Sequence, residues 1–193
     1  MMKVVAEDPG LFYQHYPRVA AVVTVNSEGR KNALPIAWHC SISFKPTIYG
    51  IAVSPKRFSY NMILQSKKFA INFLPYEKIE LIAALGGCSG GFTDKFTEFN
   101  LAEDEALKLD VPILKDAYAA YECAVIDSRV FGDHAWIAGE VKAVHVAEEL
   151  LQDNGVLSLH LVRPALYLGG DTYCSTDQDT VKHLDRDQAG RGK

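Results

Sequence analysis

Long apolar runs are missing from this 193-residue chain: nothing approaches the roughly 18 consecutive apolar residues of a membrane helix, so no membrane association is expected. The opening residues, Met1 to Pro9, hold no apolar segment long enough for a secretory signal. Cysteine is sparse, and Cys40, Cys88, Cys123 and Cys174 are scattered without a C-x-x-C pair. A chain of this length has core enough without disulfide staples, so the four read as reduced thiols of a cytoplasmic protein. The histidines form no H-E-x-x-H pair, which leaves a dedicated metal site without support. No G-x-S-x-G elbow is present, and nucleophilic hydrolysis therefore has no candidate. Positive charge is not in excess either: the net charge is −4, and nothing would offset phosphate repulsion along a nucleic acid. The stretch Gly86 to Gly91 is glycine-rich, but Phe92 follows where a phosphate-loop lysine would be needed, which argues against ATPase chemistry. Its glycines suggest a mobile loop able to fold over a ligand.

What is present is the composition of a soluble globular domain, 48% hydrophobic and 23% charged. The pattern is mainly β with inserted helices. Val19–Val25 is a β-branched run; Asn26–Lys31 supplies turn chemistry, and Asn32–Trp38 returns, which predicts a hairpin with a longer loop. Thr47–Val53 and Phe69–Phe73 read as buried strands, closed by Pro55 and Pro75. Between them Tyr60, Ile63 and Leu64 recur at helical spacing, with Ser59 as the expected N-cap. Glu77–Leu85 is again helical, ending at Gly86-Gly87, and Cys88–Asp116 reads as an excursion with short helical pieces. Tyr118–Val130 and Ala135–Ala147 are long β-type runs around a polar tip, Gly132-Asp133-His134. Helices that do not alternate strictly with strands favour a small antiparallel barrel over a Rossmann sheet. One domain over residues 1–176 is expected, followed by a charged C-terminal tail, 177–193, poor in apolar residues and expected to be partly disordered.

Three segments could carry chemistry. In Asn32-Ala33-Leu34-Pro35-Ile36-Ala37-Trp38-His39-Cys40-Ser41-Ile42-Ser43, small and polar residues interrupt a core-like strand, so a flat ring could approach its main-chain N–H and C=O groups. The same residues also suit an edge strand whose serines face water. In Ser54-Pro55-Lys56-Arg57-Phe58-Ser59-Tyr60-Asn61, basic and hydroxyl side chains precede a helix whose free N–H groups favour an anion. Arg57 could fork onto phosphate oxygens with Ser59 donating to another, or the segment could be a capped surface helix with solvated cations. His134 at the hairpin tip is the histidine to single out, although such a residue is commonly a solvated turn residue.

Several pieces, taken in order, resemble the flavin-reductase-like family of FMN-binding split barrels, in particular its flavoredoxin and archaeal ferric-reductase branch. Asn32-Ala33-x-Pro35-x-Ala37-Trp38 with Ser43-x-x-Pro46 resembles that family's first flavin-contacting strand pair. Arg57-x-Ser59-x-x-Met62-Ile63 resembles its phosphate-binding turn and helix, and Phe69-Ala70-Ile71-Asn72 its F-x-[IV]-N strand. Asp94-Lys95-Phe96 is similar to a motif over the cofactor, Gly132-Asp133-His134 with Ala138-Gly139-Glu140-Val141 to a G-D-H…G-x-V hairpin, and Arg163–Gly170 to the closing strand. The resemblance runs from about Tyr16 to Tyr173. It implies a Greek-key antiparallel split barrel, a homodimer with FMN at its interface, and NAD(P)H as electron donor. By the same resemblance, FMN would be held by Asn32, Ala37, Trp38, His39, Cys40, Ser41, Arg57, Ser59, Tyr60, Asn61, Asp94, Lys95 and Phe96. Lys95 would bring positive charge to the phosphate or the reduced ring, and His134 would lie near flavin and nicotinamide as the catalytic residue. Cys40, near the presumed ring, reads as a small buried hydrophobe. The implied activity is that of an NAD(P)H-dependent flavin or ferric reductase; the alternative is a flavoredoxin-like carrier whose FMN is reduced by a protein partner.

Overall fold

The computed structural model describes residues 2–184, so part of the 177–193 tail lies outside the described residues. After a short strand β1 (Arg18–Val19), β2 (Ala21–Ser27) and β3 (Arg30–Ile36) form the first hairpin. Its connection is shorter than the sequence suggests: Ser27 pairs with Arg30 across Glu28-Gly29, both at positive φ. That is the backbone of a tight turn whose twist matches the strands, so Asn26, Ser27, Arg30 and Lys31 are drawn into the ladder. β4 (His39–Phe44) and β5 (Thr47–Val53) form the next hairpin. Helix α1 (Phe58–Ser66) and β6 (Lys68–Phe73) follow, then α2 (Ile79–Gly87), which keeps both Gly86 and Gly87 in its last turn. The excursion holds α3 (Lys95–Glu98) and two short paired strands, β7 (Glu103–Asp104) and β8 (Ile113–Leu114). β9 (Ala119–Phe131) and β10 (His134–Val146) are the long pair, and β11 (Leu166–Gly169) and β12 (Thr172–Cys174) close the chain against β1. The turn between the long strands is Gly132-Asp133 alone, with His134 already paired opposite Phe131.

The main sheet runs in the order β3-β2-β6-β9-β10-β5-β4, antiparallel throughout. Its two edge strands, β3 and β4, are consecutive in sequence and joined only by Ala37 and Trp38. A two-residue bridge can join opposite edges only if the sheet curls until they approach, and this curl is the split barrel. Val23, Val25, Ile51, Val53, Phe69, Ile71 and Ile137 fill the inside. Val22, Ala33, Leu74, Ile82, Leu85 and Ala165 form a second layer with α2, which explains why β2 is buried on both faces.

Buried polar residues tie the excursion to the sheet, Asn72 and Glu122 among them. Asn72 donates to Val22 O (3.1 Å) and Thr24 Oγ1 (3.0 Å) and accepts from Leu114 N–H (2.8 Å). Glu122, fully buried on β9, accepts from the N–H groups of Leu107 (2.6 Å), Lys108 (2.9 Å) and Leu109 (2.5 Å) and from His145 Nε2 (2.7 Å). The four cysteines are free thiols, and Cys40 is exposed on β4, not the buried hydrophobe expected from its composition. It sits on an edge strand with no further strand paired beyond it among the described residues, so alternation alone could not reveal its exposure. No helix among the described residues is long and apolar enough to cross a membrane.

Candidate functional site

Where the sheet edges meet, a cleft of about 310 Å³ opens beside Ala37 and Trp38. Its walls include Tyr13, Tyr16, Trp38, Arg57, His134 and Tyr167. A second hollow of about 590 Å³ reaches the Gly86-Gly87 end of α2 and shares Pro35, Ile36, Ala37, Arg57 and Tyr167 with the first. Arg57 therefore stands at the wall common to both. It is the extended N-cap residue of α1, displacing Ser59 from the role that sequence predicts. The guanidinium is exposed and has no hydrogen bond or ion pair among the described residues, and the first turn of α1 carries no acidic residue. A free cation beside the positive end of a nine-residue helix is an anion-attracting arrangement.

Trp38 and His134 come together although distant in sequence. Their rings lie 4.6 Å apart, and Trp38 Nε1–H donates to Tyr16 Oη at 2.6 Å. His134 Nδ1 is 2.8 Å from an Asp133 carboxylate oxygen, and that hydrogen bond holds the Asp133 carboxyl below the ordinary range. His134 thus meets the cleft with one nitrogen committed outside it.

Other residues from the sequence reading are placed differently. His39 turns inward: Nε2 bonds to Val19 O at 2.9 Å and Nδ1 to Tyr49 Oη at 2.7 Å. A carbonyl only accepts, so Nε2 carries the proton and Nδ1 receives the tyrosine's. Burial holds His39 below the ordinary imidazole range, and it lines neither hollow. Cys40 and Ser41 are exposed along the β4 edge, as the solvent-facing alternative had it. Asn32 and Ser59 face each other in the interior, Asn32 Nδ2 donating to Ser59 Oγ at 2.7 Å. Asn32 Oδ1 is buried without a partner and lies against Gly90, where an added Cβ would sit 2.2 Å from it. Tyr60 is half-buried and Asn61 exposed on α1.

The Asp94-Lys95-Phe96 motif does not reach the cleft. Asp94 caps α3 by accepting from Phe96 N–H (3.1 Å) and Thr97 N–H (3.3 Å), and Asp94 and Phe96 line a separate hollow with Arg30 and Lys31. Lys95 is buried, its ammonium donating to Ala33 O (2.9 Å) and Leu85 O (2.5 Å), and burial lowers its pKa. It stitches β3 to α2. The glycine-rich loop is likewise tied, Arg30 donating to Gly90 O at 2.6 Å while stacking on Phe58 at 4.4 Å. Sequence reasoning missed Tyr13, Tyr16 and Tyr167 as walls; the dense run Phe12-Tyr13-…-His15-Tyr16 before the first strand was the available signal.

The family model for the flavin reductase like domain matches residues 13–176. The chain belongs to the flavin reductase like family. An FMN-binding protein of Thermus thermophilus, solved with 1-cyclohex-2-enone bound, is 34% identical, with a TM-score of 0.83 over 95% of this chain and 100% of that one. Flavoredoxin of Desulfovibrio vulgaris shares the fold of this flavin reductase like chain at 21% identity, with a TM-score of 0.84 over 96% of this chain and 100% of that one. An uncharacterized protein of Aeropyrum pernix is 33% identical over 155 residues, 80% of this chain. That match spans 58% of the Aeropyrum protein's own length, under two thirds of it.

Proposed function

We propose that this flavin reductase like protein binds FMN at the sheet seam and acts as an NAD(P)H-dependent reductase, passing electrons to a free flavin or a ferric chelate. The observation that carries the reading is Arg57: an uncommitted guanidinium, at a helix N-terminus free of acidic residues, on the wall shared by the two hollows. A phosphate monoester with nearly two negative charges fits that position, with the adjoining hollows leaving room for the rest of the ligand. The Ala37–Ser41 main chain is the proposed partner for the ring's polar edge. When bound, FMN supplies the hydride and electron chemistry, and the protein's own part is binding, orientation and exclusion of water. His134, anchored on Asp133 and packed on Trp38, is the proposed neighbour of the nicotinamide.

A homodimer belongs to the same reading. β4 is an edge strand that exposes Ile42 (47%) and Phe44 (89%) beside Cys40 and Ser41, and a second copy laid there would cover apolar surface together with the seam. The free thiols suit a reducing, cytoplasmic setting.

Titration of the purified protein with FMN tests the core of the proposal: a perturbed flavin spectrum with saturable binding is expected, and no binding refutes it. Anaerobic mixing of the FMN-loaded protein with NADH and with NADPH then tests the reductase. Rapid bleaching by either nucleotide is expected; absence of bleaching with both would leave the flavoredoxin-like carrier.

A further inference from the structure

Tyr16 stands at the cleft with half of its hydrogen-bonding capacity committed. A phenol both donates and accepts, whereas an indole N–H only donates. Trp38 Nε1–H at 2.6 Å therefore occupies Tyr16 Oη as an acceptor, and the phenol's own proton finds no acceptor among the described residues. The ring is held by aromatic neighbours: Tyr13 at 5.1 Å, His15 edge-on at 4.9 Å and Tyr167 at 6.2 Å. Tyr13 is in turn seated over Gly169 (φ +98°), where a Cβ would lie 2.6 Å from the Tyr13 ring. The segment before β1 is thus a fixed wall that presents a hydroxyl beside the seam.

The rest of the cleft narrows what could take that proton. Its volume, about 310 Å³, lies at the small end of ligand pockets, which run from about 300 to 1,000 Å³. The cleft by itself holds one ring system, and the remainder of a larger ligand would extend into the adjoining hollow. The walls are aromatic and aliphatic, with Trp38, Tyr167, Leu34 and Ile36 prominent; among the described residues no carboxylate lines them, and Arg57 is the one permanently charged lining residue. A flat, uncharged ring carrying an acceptor oxygen matches this lining.

We propose that Tyr16 is a specificity-determining residue, donating its O–H to the carbonyl oxygen of a planar conjugated ring in the seam cleft. The inference rests on the proposed function only in using the same cleft. The carbonyl belongs either to the flavin ring or to a second ring lying beside it, such as a nicotinamide or an aryl carbonyl.

Tyr16→Phe keeps the aromatic packing and removes the hydroxyl, taking away the offered proton and with it the acceptor of Trp38 Nε1–H. Two measurements on the FMN-loaded protein and this variant decide the matter: the dissociation constant and absorption bands of FMN, and the affinities for benzaldehyde and for styrene, which has a similar shape without the oxygen. If a second ring supplies the carbonyl, the wild type prefers benzaldehyde about fivefold, as one neutral hydrogen bond gives, and the variant loses that preference with FMN unchanged. If the flavin supplies it, the variant binds FMN about fivefold more weakly with shifted bands, and neither protein distinguishes benzaldehyde from styrene. Equal weakening of benzaldehyde and styrene with FMN unchanged would reduce Tyr16 to a packing residue and overturn the proposal. So would a wild type without preference together with a variant whose FMN binding is unaltered. Should the protein take no FMN at all, the flavin reading fails separately, and the benzaldehyde–styrene comparison on the flavin-free protein still decides Tyr16.

Discussion

Glu122→Gln should be strongly destabilising although it is isosteric. The carboxylate is fully buried, and its two oxygens share four donors: Leu107 N–H and His145 Nε2 on Oε1, Lys108 N–H and Leu109 N–H on Oε2. A glutamine keeps one acceptor oxygen. Its NH₂ must face one of these donor pairs: toward Lys108 and Leu109 two hydrogen bonds become donor–donor contacts, and toward Leu107 and His145 one does, because the imidazole can present its other tautomer and accept. Each such bond contributes about 1.5–3 kcal/mol, so losing one or two gives about 1.5–6 kcal/mol. Domains of this kind are typically stable by about 5–15 kcal/mol, so the variant loses a large share of its stability. Burial alone would raise the Glu122 carboxyl, but His145 and the three N–H groups outweigh it and hold the carboxyl below the ordinary range. A carboxyl lowered by folding contributes its stability above its unfolded pKa and loses it as pH falls through the lower, folded value. The gap between wild type and variant should therefore be present at neutral pH, start to narrow below the ordinary glutamate value of about 4.3, and go on narrowing as pH falls through the lower folded value. Urea denaturation followed by far-UV circular dichroism, at pH 7 and stepwise down to pH 3, measures both. A difference under about 1 kcal/mol at pH 7, or a gap that widens on acidification, would refute the reasoning.

Arg57→Ala should weaken FMN binding by roughly 10- to 100-fold, the loss of one or two charge-assisted bonds, without moving the urea midpoint; fluorescence titration of FMN checks it. His134→Ala should retain FMN while slowing anaerobic reduction by the preferred nicotinamide nucleotide about tenfold through lost positioning, and equal stopped-flow rates would remove His134 from the mechanism. Lys95→Met should lower stability by about 1–4 kcal/mol, because Ala33 O and Leu85 O lose their donor while the cost of burying an ammonium disappears. Its FMN affinity per folded molecule should match wild type; a large loss of affinity with unchanged stability would return Lys95 to the ligand.

The strand positions were legible because largely apolar runs such as Thr47–Val53 and Phe69–Phe73 are buried over most of their length and announce themselves without alternation. Arg57 was legible because a basic residue ahead of a helix has a local cause. His39 and Lys95 were not, because their fates depend on partners 10 and 62 residues away: Tyr49 for the imidazole, Ala33 for the ammonium. A polar residue in a site-like motif looks the same in sequence whether it faces a ligand or satisfies a buried carbonyl. The tight Glu28-Gly29 turn was obscured by the polar residues around it, which suited a longer loop equally well. The cleft's aromatic wall was invisible as a wall because Tyr13 and Tyr16 precede the first strand and meet Tyr167 only after the chain has closed on itself.

The join of β3 to β4 by Ala37 and Trp38 makes the cleft a gauge of the whole sheet. A small change in twist between any neighbouring strands adds along the ribbon and emerges as a change in gap at its two ends, where the cleft lies. Substitutions far from the ligand, on β6 or β9 for instance, can thus retune the site without touching it. The same geometry lets the edges part while the central strands keep their ladders. Amide exchange at Ile36–His39 should consequently proceed by a shallow local opening, well before the protons of β2, β6 and β9 are released.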